Sequence, residues 1–323
     1  MKSNRPRASL SAIRYWPAWI LCGLLRLVVL LPYPVIVWLG RWLGSILRIL
    51  VPYRRKIVEI NLALCFPDLD PAESQTLVKR NFQAIGISML EMALCWWASD
   101  KKVAPLSHIT GLENLRGALA KGKGVILLTG HFTSFEIAGR LLIQHIPMCV
   151  TYREFRNPVF HRFMEQARRH RFEQAIHRYD ARALIQALRD NNVVWYAPDQ
   201  DPGIKHSVFA PFFGIPAATL TTTSRLARIT GAKVVPFRVV RLAANKGYEL
   251  NIDPPLADFP SGDLAADASA INALLEKQIR TAPEQYYWVH RRFKTRPPGE
   301  AGFYAQKPRR IKRQQKKDRS QSK

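Results

Sequence analysis

Two hydrophobic patterns follow one another along the chain. From Trp16 to Leu39 the residues read WPAWILCGLLRLVVLLPYPVIVWL, an apolar run interrupted by one charge, Arg26. A helix needs ~20 apolar residues to cross the hydrocarbon layer, so this run predicts a retained membrane anchor. Pro32 and Pro34 should break or kink it, and both a tilted span and a shallow hairpin satisfy the pattern. The next segment, GRWLGSILRILVPYRRK, spaces its arginines as an amphipathic helix at a membrane interface would. After residue 58 the pattern changes. Short, continuous apolar runs at 124–129, 147–152, 193–198, 232–240 and 248–252 predict strands covered on both faces. Between them, helical periodicity is expected near 73–97, 134–146, 158–173, 181–190, 217–230 and 264–281. That alternation predicts an α/β fold, a central sheet flanked by helices behind an N-terminal membrane-anchoring helix.

Charge narrows the partners. The formal net charge is +25, which draws anionic surfaces. Lys2, Arg5, Arg7, Arg14, Arg41, Arg48, Arg54, Arg55 and Lys56 flank and punctuate the apolar run, and no acid precedes Glu59; the pattern suits an anionic membrane. Basic flanks on both sides leave the orientation open. The chain lacks a zinc-finger spacing or an aromatic-basic RNA-binding pattern, so nucleic acid is not an expected partner. Cys22, Cys65, Cys95 and Cys149 are widely spaced and form no C-x-x-C pair, so neither a metal site nor a disulfide framework is expected. The closing KPRRIKRQQKKDRSQSK predicts a disordered basic tail.

Candidate chemistry gathers at VILLTGHFTSFEIAGR, residues 125–140. His131 and Glu136 are five apart, which on one unbroken helix separates them by ~140°. If the strand ends at Gly130 and a helix starts near Ser134, the imidazole folds back towards a carboxylate in the first turn. Thr133-x-x-Glu136 also fits a capping box, in which Glu136 serves only the backbone.

The order of motifs carries more than any one of them. RRKIVEINLALCFPDL, GHFTSFEIAG, VTYREFRNP, VVWYAPDQDPG, VFAPFFGIPAATLTTTSRLARITGAKVVPF and PEQYYWVHRRFKTRPPGE together resemble the bacterial lipid A biosynthesis acyltransferases, over nearly the whole chain. The resemblance implies a glycerolipid-acyltransferase-like α/β fold with a mixed sheet. It also implies a His-x4-Asp/Glu site, an acyl carrier protein thioester donor, a Kdo2-lipid IVA-type glycolipid acceptor, and a cytoplasm-facing site at the bacterial inner membrane. Residues 1–58 would be the anchor and basic interfacial helix, 59–305 the catalytic domain and 306–323 the tail. Glu154, Lys205 and His206 depart from the expected pattern and bear on substrate contacts.

The chemistry agrees with that implication. Acyl transfer from a thioester to a hydroxyl needs a base, and histidine titrates near neutrality. Glu136 would orient the imidazole. With no G-x-S-x-G elbow in the chain, direct transfer without an acyl-enzyme or a cofactor is expected. Loop amides of Thr133 to Phe135 are candidates for the oxyanion. Arg153 is the expected phosphate or headgroup ligand, with Arg156 a lesser one. Asp199, just beyond a strand, would orient Arg153 or bind substrate; Asp201 suits a turn. The cluster His290, Arg291, Arg292, Lys294 and Arg296 suits either phosphate or carrier protein, or a solvated helix end. A related acyltransferase acting on an aminolipid or lysophospholipid is the alternative reading.

Overall fold

The computed structural model describes residues 12–155 and 157–304. Lys2, Arg5, Arg7, Arg156 and the basic tail lie outside the described residues.

The apolar run does not form one helix. It divides into α1 (Trp16–Val28) and α2 (Tyr33–Leu50), with Pro32 as the N-cap of the second. Proline cannot continue the first helix and starts the second well, which explains the break. At ~1.5 Å per residue α1 is only about 20 Å long, short of the ~30 Å hydrocarbon layer. Among the described residues only α2 is long and apolar enough to cross a membrane. Carbonyls left at the end of α1 find a donor in Lys102, whose Nζ bonds Val29 O and Leu31 O.

α3 (Pro52–Cys65) and α4 (Pro71–Trp97) follow, then α5 (Asp100–Val103), β1 (Ser107–Thr110), α6 (Leu112–Leu119) and β2 (Val125–Leu128). The chain continues through α7 (Phe135–Leu142), β3 (Cys149–Tyr152), α8 (Pro158–Arg169), β4 (Gln174–His177), α9 (Ala181–Arg189) and β5 (Val193–Tyr196). A hairpin of β6 (Ser207–Phe212) and β7 (Ile215–Leu220) precedes α10 (Thr222–Thr230), β8 (Lys233–Arg241), β9 (Tyr248–Ile252) and α11 (Leu264–Thr281). The helix expected over 217–230 therefore begins only at Thr222, because Ile215–Leu220 pairs with Ser207–Phe212.

The central sheet has the order β1-β9-β8-β2-β5-β3-β4. β8, β2, β5, β3 and β4 run parallel, while β9 is antiparallel to β8. The sheet is thus mixed and mostly parallel, with helices covering it, and all four residues of β2 are fully buried. Such double coverage is why the strand reads as a continuous apolar run.

α2 lies directly on α4. Tyr33, Ile36, Val37, Gly40 and Gly44 face inward, and a Cβ built on Gly44 would stand 2.1 Å from Phe82 O. The opposite face of α2 exposes Val35, Trp38, Trp42 and Ile49, and α1 exposes Ile20, Leu24 and Leu27. α4 is in turn tied to the sheet by a buried carboxylate: Arg241 donates to both oxygens of Glu91, each at 2.7 Å, and the Tyr248 hydroxyl donates to one of them. A bidentate pair of this kind leaves little of the buried charge unmet.

Candidate active site

Because β2 and β5 are parallel neighbours, with Leu128 beside Tyr196, their carboxyl ends deliver the next residues to one place. Open α/β sheets bind ligands at such an edge. The chain leaves β2 through Gly130 and sets His131 in a loop; it leaves β5 and sets Asp199 opposite. The Asp199 carboxylate accepts the backbone N–H of His131 at 2.8 Å through Oδ2, and its Oδ1 meets the imidazole Nδ1. Tyr286 donates its hydroxyl to Oδ2 at 2.8 Å. Asp199 is 1% exposed at its side chain and His131 33%, so only the imidazole can meet a substrate. Below it, His131 stacks on Phe135 at 5.3 Å, and Phe135 on Trp195 at 4.2 Å.

Burial works against a charge on His131, but the Asp199 carboxylate more than offsets it and holds the imidazole pKa above its ordinary value. Burial likewise opposes the Asp199 anion, and the His131 charge and its hydrogen bonds hold that carboxyl well below the usual range. With Asp199 ionised, Nδ1 carries the proton and donates, which leaves Nε2 of the neutral ring as a base.

The expected His131–Glu136 hydrogen bond is not formed. α7 starts at Phe135, and Glu136 Oε1 instead accepts from Arg168 Nη2 of α8 at 2.7 Å. Its charge still raises the His131 pKa. The capping box is absent too: no side chain caps α7, and the Thr133 and Ser134 hydroxyls are buried without partners among the described residues. Glu136 borders a small cavity lined by Cys95, Trp96, Arg140, Arg168 and Arg171. A larger one, about 270 Å³, adjoins Arg168 on the side of Tyr152, Met164 and Phe172. Arg168 Nη1 and Arg140 Nε are buried with no hydrogen-bond partner among the described residues.

Other candidates fall differently. Arg153 is exposed on the loop after β3, and Asp199 orients His131 rather than Arg153. Arg156 lies outside the described residues. The Thr133 amide is taken by Gln285 O and that of Phe135 by Phe132 O, which leaves the Ser134 N–H of the three expected donors. Asp201 does shape a turn, accepting the Gly203 N–H at 2.9 Å. The basic cluster near the C-terminus is neither a helix end nor an open patch: Arg292 is buried and donates to Ala218 O and Thr219 Oγ1. His290 accepts the Asp201 N–H at Nε2, 2.9 Å, and burial lowers its pKa to about 4. Arg168 and Tyr286 were missed from sequence, and His290 was singled out only as part of a basic cluster; each is distant in the chain from the residue it serves, and only the tertiary fold brings them in.

The profile of the family described as bacterial lipid A biosynthesis acyltransferase matches residues 5–295. The chain is 39% identical over 305 residues to the lipid A biosynthesis lauroyltransferase of Escherichia coli (strain K12), covering 94% of this chain and all of that one. It is 38% identical to the palmitoleoyltransferase of the same strain, covering 90% and 95% of the two chains. To that strain's myristoyltransferase it is 32% identical, covering 91% and 92%.

Proposed function

Because the chain belongs to the bacterial lipid A biosynthesis acyltransferases and is an acyltransferase, we propose that it moves a fatty acyl chain from an acyl carrier protein thioester to a hydroxyl of a Kdo2-lipid IVA-type acceptor or its monoacylated product. The hydroxyl belongs to a 3-hydroxyacyl chain of the acceptor. The work is done at the cytoplasmic face of the inner membrane, to which the outer faces of α1 and α2 hold the enzyme.

His131 is the general base. Its Nε2 takes the proton of the acceptor hydroxyl as that oxygen attacks the thioester carbonyl; the carbon–sulfur bond then breaks, and the imidazolium returns the proton to the departing thiolate. Asp199 fixes the tautomer and stabilises the imidazolium, and Tyr286 fixes Asp199. Glu136 holds Arg168 in place and adds to the basicity of His131. The guanidinium groups of Arg168 and Arg140 receive negative charge from the substrate phosphates or the developing oxyanion, with the Ser134 amide as a further donor. Arg153 meets the acceptor headgroup at the rim.

The observation that carries this reading is the buried Asp199 carboxylate paired with the half-exposed His131 imidazole at the sheet edge. The test is a purified-enzyme assay offering carrier-protein thioesters of graded length, and coenzyme A thioesters beside them, with Kdo2-lipid IVA or lysophospholipid as acceptor. Mass spectrometry should find one added acyl group on the glycolipid, from the carrier-protein donor. Acylation of the lysophospholipid alone would assign the enzyme to another acceptor.

A further inference from the structure

Three loops beyond the catalytic edge share a composition of which the proposed chemistry uses only Arg153. They follow the carboxyl ends of the parallel strands β3, β4 and β5, so the sheet presents them side by side. Each carries a large apolar side chain turned to solvent: Phe155 at 42% exposure, Tyr179 at 74% and Ile204 at 75%. Each pairs it with an exposed cation within two residues: Arg153, Arg178 and Lys205. Arg178 stacks over the Tyr179 ring at 4.6 Å, and the loop after β5 carries both Asp199 and Ile204, so this rim borders the site. Isolated exposed apolar residues need no explanation; three of them on neighbouring loops around one site, each beside a cation, do. Aromatic and aliphatic tips next to lysine or arginine are the composition of segments that seat in the headgroup layer of an anionic bilayer.

α1 packs beside the rim. α8 begins at Pro158, three residues past Phe155, and its Val159 packs on Ala18 and Cys22 of α1, with Trp19 edge-on to Phe163. The inner face of α1 thus packs on the helix that follows the first of these loops, and Ile20, Leu24 and Leu27 of α1 stay exposed.

We propose that the loops after β3, β4 and β5 are a second lipid-contacting surface, which seats Phe155, Tyr179 and Ile204 in an anionic bilayer with Arg153, Arg178 and Lys205 on its phosphates. This deepens the membrane placement proposed above and rests on it. The catalytic edge then opens onto the bilayer, and an acceptor lipid reaches His131 without crossing water.

The test uses the full chain in detergent, to which vesicles of phosphatidylethanolamine and phosphatidylglycerol are added. All four natural cysteines are buried, so a single environment-sensitive fluorophore can be placed at Ile204→Cys, at Leu24→Cys on α1, or at Lys121→Cys in the loop before β2, at the opposite edge. Blue shifts at 204 and 24 with none at 121 are expected. A shift at 24 alone overturns the rim and spares the anchor; no shift at either overturns both. Independently, a Phe155→Ser/Tyr179→Ser/Ile204→Ser variant should lose about tenfold or more in rate on acceptor embedded in vesicles, given the apolar area it removes, yet keep its rate on detergent-dispersed acceptor. Equal loss in both would show that these side chains serve the fold or the substrate, and would sink the proposal.

Discussion

At the scale of single residues, the reassignment of the carboxylate partner changes what mutants should do. Asp199→Asn removes the anion that selects the His131 tautomer, so kcat should fall by about 10²–10⁴-fold, as expected when a general base loses its orientation. Glu136→Gln leaves the His131–Asp199 pair and frees Arg168, so the loss should be smaller, about 10- to 100-fold, the scale of one charge-assisted hydrogen bond. Steady-state rates of the two purified variants settle the order; if Glu136→Gln were the more damaging, Glu136 and not Asp199 would be the partner that matters. The pH dependence follows from the raised His131 pKa. The base works only when neutral, so kcat/KM should climb with pH and level off above a midpoint higher than the ordinary ~6.5. In Asp199→Asn that midpoint should move to lower pH, because burial then acts on the imidazole with only the Glu136 charge against it. The sequence showed His131 and its loop clearly, since a buried strand, a glycine and a helix start are all local signals. It pointed to Glu136 because Glu136 is near in the chain. Asp199 is 68 residues away, and only the adjacency of β2 and β5 makes it the partner; that both residues follow strand carboxyl ends was the one readable hint.

At the scale of elements, packing of α7 on β5 supports the site. A Cβ at Gly139 would lie 2.0 Å from the buried Trp195 ring, and that ring is the base of the stack under Phe135 and His131. Gly139→Ala should therefore destabilise the fold by about 1–3 kcal/mol and also lower kcat, by tilting the stack. Thermal melts and rates of the same preparation test it; a normal melt with normal turnover would mean the ring shifts freely. The elements that sequence revealed are those with strong local periodicity, such as β2, β8 and α11. β4, Gln174–His177, was missed because it is a short edge strand, only one of its residues buried. The β6–β7 hairpin was missed because IPAATL has the alanine-rich look of a helix, while its pairing turns on Phe213 and Gly214, both with positive φ. The apolar N-terminal run and a break at its prolines were legible, but not that one face of its helices is spent on α4.

At the scale of the whole molecule, charge and apolar surface act together. With a net charge of +25, association with phosphatidylglycerol vesicles should weaken as salt shortens the screening length from ~30 Å at 0.01 M to ~3 Å at 1 M. The apolar faces of α1 and α2 should leave a salt-resistant remainder, measurable by flotation. Complete release at high salt would show that those faces do not insert. Long-range ties also converge on the segment after α11. Asn61 of α3 donates to Trp288 O and His290 O, and Asn81 of α4 donates to Glu284 O and Tyr286 O. That same segment bonds the His131 loop through Gln285 O and the Tyr287 N–H, reaches Asp199 through Tyr286, and holds Asp201 through Thr295 at 2.7 Å. Its place in the chain sets an order of events during synthesis. α1 and α2 precede it in the chain, so on the membrane placement proposed above they can meet the bilayer while the clamp on His131 and Asp199 is still to be translated. On that placement a nascent chain is delivered to its lipid before it acquires the means to modify it.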